Sequence, residues 1–226
     1  MTQAQANLTS RRLKTPRAAA ISGIAFALLM GASQVLLRLS VPPDSLDSAA
    51  YLASRANTIG LALKLVPFAG IAFLWFIGAV RDRLGQEEDQ FFSTVFQGAA
   101  VLYLAMYFVA AALAGGLLAI YARNPALLEG GVYPFGRMLT LQINGIYAVR
   151  MSGVFMLSLA TIWTRTGAMP RWAALVTYAL ALVLLLTISL SMWLTLIFPV
   201  WVLLISVYIL VSNYGGWLGD AGDTED

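Results

Sequence analysis

The sequence contains no cysteine and no histidine. The two absences exclude disulfide bonds, Cys/His zinc sites, haem held by histidine and thiol redox relays. The lack of histidine also removes the commonest general base of hydrolases. A serine/lysine hydrolase with Lys64 as its base survives only formally, because no motif places a serine beside that lysine. We therefore expect a non-enzymatic protein with no catalytic residue, no metal and no cofactor.

Charged residues are also scarce, at 11% of 226 residues, whereas hydrophobic residues make up 60% and the mean hydropathy is +0.78. An ordinary soluble domain has about a quarter of its residues charged. The apolar residues form long continuous runs instead of the alternating pattern of a membrane barrel, and such runs satisfy their backbone polar groups only as helices. The composition predicts an all-α, polytopic transmembrane helical bundle.

Six apolar runs are separated by charged or Pro/Gly-containing segments. The predicted spans are residues 18–41, 58–80, 91–121, 139–164, 172–190 and 194–212. The uncharged stretch 172–212 would be about 60 Å long as one helix, roughly twice the hydrocarbon thickness, so we expect it to fold back at residues 189–193. If this hairpin is instead re-entrant or one kinked span, the count falls to five.

The segments outside the single transmembrane domain, 17–213, carry most of the charge. Residues 1–16 are predicted to be a disordered basic tail, 214–226 an acidic disordered tail, and residues 44–55 a short external helix. One side of the predicted topology holds Arg11, Arg12, Lys14, Arg17, Arg81, Arg83, Arg165 and Arg171, and the other holds Arg55, Arg123 and Arg137. The positive-inside rule then predicts that both termini are cytoplasmic. The basic residues thus indicate topology, and we expect no nucleic-acid partner.

The predicted spans contain three basic residues, Arg38, Lys64 and Arg150, and no Asp or Glu. A charge at mid-bilayer costs about 2.5–3.5 kcal/mol, so each needs water, a carbonyl, an anion or a route to the headgroups. Arg38 and Lys64 lie near the outer ends of their spans and can extend toward lipid phosphates. Arg150 lies roughly 14 Å into its span, and we expect it to face the bundle interior.

Polar residues accompany Arg150. Tyr147 precedes it by one helical turn, Asn144 and Gln142 follow toward the outer end, and Gln97 and Gln34 are further candidate donors. One interpretation is an outward-opening pocket in which Arg150 and Lys64 bind an anion, since a guanidinium matches phosphate and carboxylate. The other is a structural network of carbonyls and amides, or of counter-ions folded in from the external loops at Asp44, Asp47 or Glu129.

Small residues recur in the first span at Gly23, Ala27 and Gly31, and they are dense in the third span at residues 110–116. Such faces allow close helix packing, either within one chain or at a dimer seam. Pro67 and Pro199 interrupt their spans, where they would produce ordinary kinks or mark a hinge.

Three short segments carry a resemblance to known sequences: FLWFIGAVRDRLG at residues 73–85, YAVRM at 147–151 and MPRW at 169–172. With these segments the chain resembles small uncharacterised multi-pass proteins predicted in high-GC Gram-positive bacteria, over most of residues 17–212. The resemblance implies a bacterial plasma membrane and no particular activity.

These observations favour binding or transport of an anionic small solute or lipid through an outward-facing basic pocket. The residues predicted to line it are Arg150, Lys64, Arg38, Tyr147, Asn144, Gln142 and Gln97. Two alternatives remain open at the sequence level: an accessory or scaffold subunit bound to a membrane-protein partner, and a homo-oligomer that forms a channel. In each case we expect membrane lipids among the partners.

Overall fold

A computed structural model describes the backbone of residues 3–40, 50–84, 90–128, 131–167, 169–187 and 193–220. Within these ranges the chain is helical and contains no strand, which confirms the all-α fold. The helices are α1 (Gln3–Ser40), α2 (Ala50–Leu84), α3 (Gln90–Arg123), α4 (Val132–Gln142), α5 (Val149–Thr166), α6 (Arg171–Leu186) and α7 (Leu194–Asp220). A π-helical turn, Ile143–Ala148, joins α4 to α5 as one rod.

Five segments are long and apolar enough to cross a membrane. They are Ala18–Ser40, Ser54–Asp82, Phe91–Arg123, Val132–Thr166 and Leu194–Ser212. The remaining helix, α6, is also apolar but has only 16 residues. Its length of about 24 Å is less than the ~30 Å of a typical hydrocarbon core. The chain is therefore a multi-pass helical membrane protein in which one apolar helix is unusually short.

We count the bundle as six rods: α1, α2, α3, the α4–α5 rod, α6 and α7. Successive rods run antiparallel. We name the end of the bundle that holds Ala18, Asp82 and Arg171 the proximal end, and the end that holds Ser40 and Val132 the distal end. α1 packs against α2 and α7, α3 packs against α2 and the α4–α5 rod, and α6 packs against α5. The hairpin of α6 and α7 is thus bordered by α5 on one side and by α1 on the other.

A cluster of aromatic side chains fills the centre of the bundle. The Phe73 ring lies 4.6 Å from Phe26, 5.6 Å from Phe155 and 5.6 Å from Phe198, measured between ring centroids. Tyr103 closes the cluster from α3, with its ring 4.7 Å from that of Phe198. Tilted and edge-on contacts of this kind add about 0.5–1.5 kcal/mol per pair to the packing. Five rods are therefore tied together at one depth.

The α6–α7 hairpin forms as the uncharged stretch predicts. Trp201 Nε1 donates a hydrogen bond to Thr177 Oγ1 at 3.0 Å, and nearer the proximal end the Trp172 and Tyr208 rings meet at 6.5 Å. These two pairs show that α6 and α7 are antiparallel. α6 ends at Leu186 and α7 begins at Leu194; of the predicted turn at residues 189–193, residues 189–192 lie outside the described part of the chain.

Several boundaries differ from the sequence prediction. α1 begins at Gln3 and α7 continues to Asp220, so helix occupies most of the segment predicted as a basic tail and the first part of the predicted acidic tail; residues 221–226 lie outside the described part. Good helix formers such as Ala, Gln, Leu and Arg make residues 3–14 compatible with helix. Of the predicted external helix, residues 50–55 belong to α2, which begins at Ala50, and residues 44–49 lie outside the described part of the chain.

The fourth span begins earlier than predicted, at Val132 instead of near residue 139. Gly131 precedes it with a φ of 99°, a left-handed conformation that costs glycine little and starts the helix abruptly. The longer rod supports a second apolar cluster at the distal end, which contains Leu52, Ile59, Leu128 and Tyr133. The α2, α3 and α4–α5 rods therefore continue past the level at which the α6–α7 hairpin turns.

The small residues of the first span differ in whether other helices of the same chain pack against them. Gly23 faces Ser206 of α7 and Phe76 of α2, whereas Gly31 has nothing within 4 Å of the position of an added Cβ. The intramolecular interpretation is confirmed at Gly23. At Gly31 the dimer interpretation stays a prediction.

Candidate functional site

Arg150 lies in the first turn of α5, half-buried. Its Nη1 donates a hydrogen bond to the backbone carbonyl of Ile146 at 3.5 Å, one turn back along the same rod. Leu159, nine residues later, points in the opposite direction because nine residues make two and a half turns, and Leu159 is 0% exposed. The helix phase therefore places the half-buried Arg150 on the side of α5 opposite Leu159, and the expectation that it lines an interior pocket stays a prediction.

The π-helical turn next to Arg150 explains how its carbonyl partner becomes accessible. A π turn widens the helix by one residue and disturbs the regular hydrogen-bond ladder, and such turns occur frequently at functional sites. Ile146, inside this turn, receives the Val149 N–H at the end of the π segment as well as the Arg150 guanidinium. The local backbone thus holds Arg150 by a long single hydrogen bond.

The polar residues predicted around Arg150 do not form an enclosed strip. The Tyr147 side chain is 58% exposed, and Asn144 and Gln142 are half-buried on the same rod. Gln142 and Asn144 are two residues apart and therefore lie on different sides of the rod. The structure thus shows no single polar strip among these three residues, and the pocket stays a prediction.

α6 ends beside Arg150. A Cβ placed on Gly153 would lie 3.0 Å from Leu185 Cγ and 3.2 Å from the Ala181 carbonyl, so α5 and α6 touch there without any side chain between them. Arg150 is about 4.5 Å further toward the distal end, and α6 stops at Leu186. The Cα atom of Arg150 therefore lies at about the level of the last turn of α6.

A second basic residue lies at the other side of the hairpin. The Arg38 guanidinium carbon is 5.7 Å from the centre of a Trp193 ring, within cation–π range. Trp193 immediately precedes α7 and is exposed. Arg150 thus lies near the end of α6 and Arg38 near the start of α7, and we name these two residues with Trp193 the hairpin cluster.

Lys64 is the remaining basic residue predicted for the pocket. It is exposed on α2, and its neighbour Leu63 faces Gly115 of α3. The prediction that Lys64 and Arg150 share one pocket stays a prediction.

Gln97 lies elsewhere, near the proximal end. With its amide oxygen turned toward Arg81, Gln97 accepts hydrogen bonds from Nε at 2.8 Å and from Nη1 at 3.0 Å. At the same end the Arg165 guanidinium carbon lies 4.8 Å from the Phe92 ring centre. Gln97 thus positions a basic residue at the boundary of the bundle and does not line a distal site.

The sequence did not predict that two polar residues, Arg137 and Gln34, are buried. Arg137 was predicted to lie in an external loop, yet it is buried within α4; the abrupt helix start after Gly131 was the sequence feature that could have indicated this. Gln34, which we considered only as a further donor, is 3% exposed. No sequence pattern distinguishes a buried glutamine at this position from a lipid-facing one.

Acidic groups are rare around these sites. Among the side chains that the structure describes, Asp82 is the only carboxylate, and it is exposed at the proximal end. The described residues contain no group of His, Cys, Asp or Glu that could hold a metal ion. The hairpin cluster therefore has two cationic side chains and no described acidic neighbour.

The fold and its helices define the class of the protein as a polytopic all-α membrane protein. Comparison with protein-family models, with curated proteins and with solved structures finds no match to this chain.

Proposed function

We propose that the protein binds the anionic headgroup of a lipid at the distal turn of the α6–α7 hairpin, with Arg150 and Arg38 as the ligands of the phosphate. The observation that carries the proposal is that two cationic side chains lie near the helix ends of this turn without a carboxylate among the described side chains. A phosphate would supply the missing negative charge. Transport of the lipid or of a small anion would be an extension of this binding.

The incomplete hydrogen bonding of Arg150 supports an external ligand. A guanidinium has five N–H donors, and within the described part of the chain Arg150 donates a single hydrogen bond, which is 3.5 Å long. Charge-assisted bonds to phosphate are shorter, about 2.7–2.9 Å, and arginine can make two in parallel. Because Arg150 is on the side of α5 opposite the buried Leu159, a lipid can approach it laterally from the bilayer.

Trp193 and Tyr147 support a lipid in preference to a free inorganic anion. Both are exposed large aromatic residues with a polar atom, at 62% and 58% respectively, and such side chains favour the boundary between headgroups and hydrocarbon. Their exposure near the hairpin cluster supports a headgroup boundary at this depth. The phosphate of a neighbouring lipid would then lie at the depth of the two arginines.

The proposal predicts that Arg150→Gln lowers the affinity for an anionic phospholipid about 10- to 100-fold, the equivalent of one lost charge-assisted contact. Native mass spectrometry of the purified protein, titrated with phosphatidylglycerol and separately with phosphatidylcholine, measures this. Arg150→Lys should retain part of the affinity, since it keeps the charge but loses the planar fork.

Arg171→Gln is the matched control, because Arg171 is exposed at the proximal end and should leave the affinity unchanged. Equal retention of phosphatidylglycerol by the Arg150→Gln variant and the wild-type protein would contradict the proposal. Competition by inorganic phosphate as strong as that by the lipid would instead indicate a free anion as the ligand.

We also propose that the proximal end faces the cytoplasm of a bacterial cell and that the protein lies in the plasma membrane, as the positive residues and the resemblance predict. The natural absence of cysteine allows a direct test with single cysteines. Ala122→Cys, exposed near the distal end, should react with a membrane-impermeant maleimide in intact cells, and Thr166→Cys should react only after lysis. The reverse pattern would invert the topology.

A further inference from the structure

Gln34 of α1 is buried without a hydrogen-bond partner. It is 3% exposed, and neither its Nε2 nor its Oε1 has a partner among the described residues. A buried amide normally finds partners, because removing it from water without compensation is costly. The Gln34 amide has two donor hydrogens and an acceptor oxygen without partners in the described part of the chain, which indicates that another hydrogen-bonding molecule binds there.

The helix phase places Gln34 in the seam between α1 and α7. Eleven residues separate it from Gly23, which is almost a whole number of turns, and Gly23 contacts Ser206 of α7. One turn beyond Gln34 toward the distal end, Arg38 lies on Trp193, just before α7. Gln34 is thus opposite the first turns of α7, beneath the Arg38–Trp193 pair.

The aromatic cluster lies below this position. Phe26, two turns from Gln34 toward the proximal end, has its ring 5.9 Å from that of Phe198, and Tyr103 lies against Phe198 from α3. The Tyr103 hydroxyl is likewise buried without a partner in the described part of the chain. Gln34 and Tyr103 are therefore two buried polar side chains of the bundle whose polar atoms have no partner in the described part of the chain.

The chemistry of these groups selects an uncharged ligand. The amide and the phenol each donate and accept hydrogen bonds, and no described carboxylate lies in the interior to bind a cation. The one cationic side chain nearby, Arg38, lies above the amide and already contacts the Trp193 ring. A small molecule that both donates and accepts fits this set.

We propose that Gln34 is the principal ligand of a buried site between α1 and α7 that takes a small uncharged hydrogen-bonding molecule. Two sources of this chemistry are ordered water and a small polar solute with hydroxyl or amide groups. The site is separate from the proposed lipid site, because it does not need Arg150.

The side-chain amide of Gln34 reports on the site directly. In protein labelled with ¹⁵N-glutamine, the Gln34 amide resonance is assigned as the one lost in Gln34→Leu. A cross-relaxation peak between this amide and water in the wild-type protein identifies water as the ligand. A saturable shift of the resonance on addition of glycerol or acetamide identifies a solute. If neither is observed, the amide is dry and the proposal is overturned.

The sign of a stability change gives an independent test. If a ligand satisfies the amide, Gln34→Leu removes that hydrogen bonding, and the thermal midpoint should fall by several degrees. If the amide is truly unsatisfied, an apolar side chain of similar size relieves it and the midpoint should stay or rise, which would overturn the proposal. Gln142→Leu, half-buried on the α4–α5 rod, is the control and should change the midpoint little.

Discussion

Phe73→Ala is expected to give the largest loss of stability of any single truncation considered for this protein. The Phe73 side chain is 0% exposed, and its ring contacts those of Phe26, Phe155 and Phe198 on three other helices. Its removal leaves a cavity at the one depth where these helices meet. We expect a loss of about 3 kcal/mol, near the lower bound for buried phenylalanine, because lipid removes most of the hydrophobic contribution and leaves the packing contribution.

SDS titration of the purified protein, followed by tryptophan fluorescence, measures this loss. Phe68→Ala is the matched control, since Phe68 lies on the same helix but is exposed and should change the free energy of unfolding by less than about 1 kcal/mol. Equal effects of the two substitutions would mean that the aromatic cluster does not hold the bundle together.

Gly23→Ala is the second substitution with a large expected effect. A Cβ at Gly23 would overlap Ser206 Oγ and lie 2.8 Å from Phe76 Cδ2, and both of these side chains are fully buried. Overpacking of this kind costs about 1–3 kcal/mol. Because α1 and α7 approach each other through this glycine, we expect the loss to appear as early separation of α1 from the bundle in limited proteolysis.

The control for this substitution is Gly31→Ala in the same helix, where nothing lies within 4 Å of the added Cβ. Alanine favours helix over glycine by about 1 kcal/mol, so this variant should be neutral or slightly more stable. A second change, Ser206→Ala, should partly rescue Gly23→Ala by removing the hydroxyl from the contact. Absence of both the loss and the rescue would contradict the close α1–α7 packing.

The sequence was sufficient to predict the helices because long apolar runs leave the backbone no other way to satisfy its polar groups in lipid. The break between α6 and α7 followed from length alone. The start of the α4–α5 rod was harder to predict, because Tyr133 and Arg137 look like loop residues until Gly131 is known to adopt a positive φ. Helix ends depend on such local conformations more than on hydropathy.

The candidate site was predicted less well than the fold. Sequence analysis grouped Arg150 and Arg38 with Gln97, which the structure places beside Arg81 near the proximal end, and with Lys64, which is exposed. Distance along a helix can be read from a sequence, whereas the direction of a side chain depends on how each helix is rotated about its own axis. For Arg150 that rotation decides between the bundle interior and the lipid-facing surface.

The unequal lengths of the apolar rods have a consequence for the surrounding bilayer. The Phe91–Arg123 and Val132–Thr166 segments contain 33 and 35 residues, about 50 Å each, whereas α6 is about half as long. No flat hydrocarbon slab matches both lengths, so we expect the long segments to tilt or to extend into water and the bilayer beside α6 to thin. The stability of the protein should then depend on the acyl chain length of the host lipids.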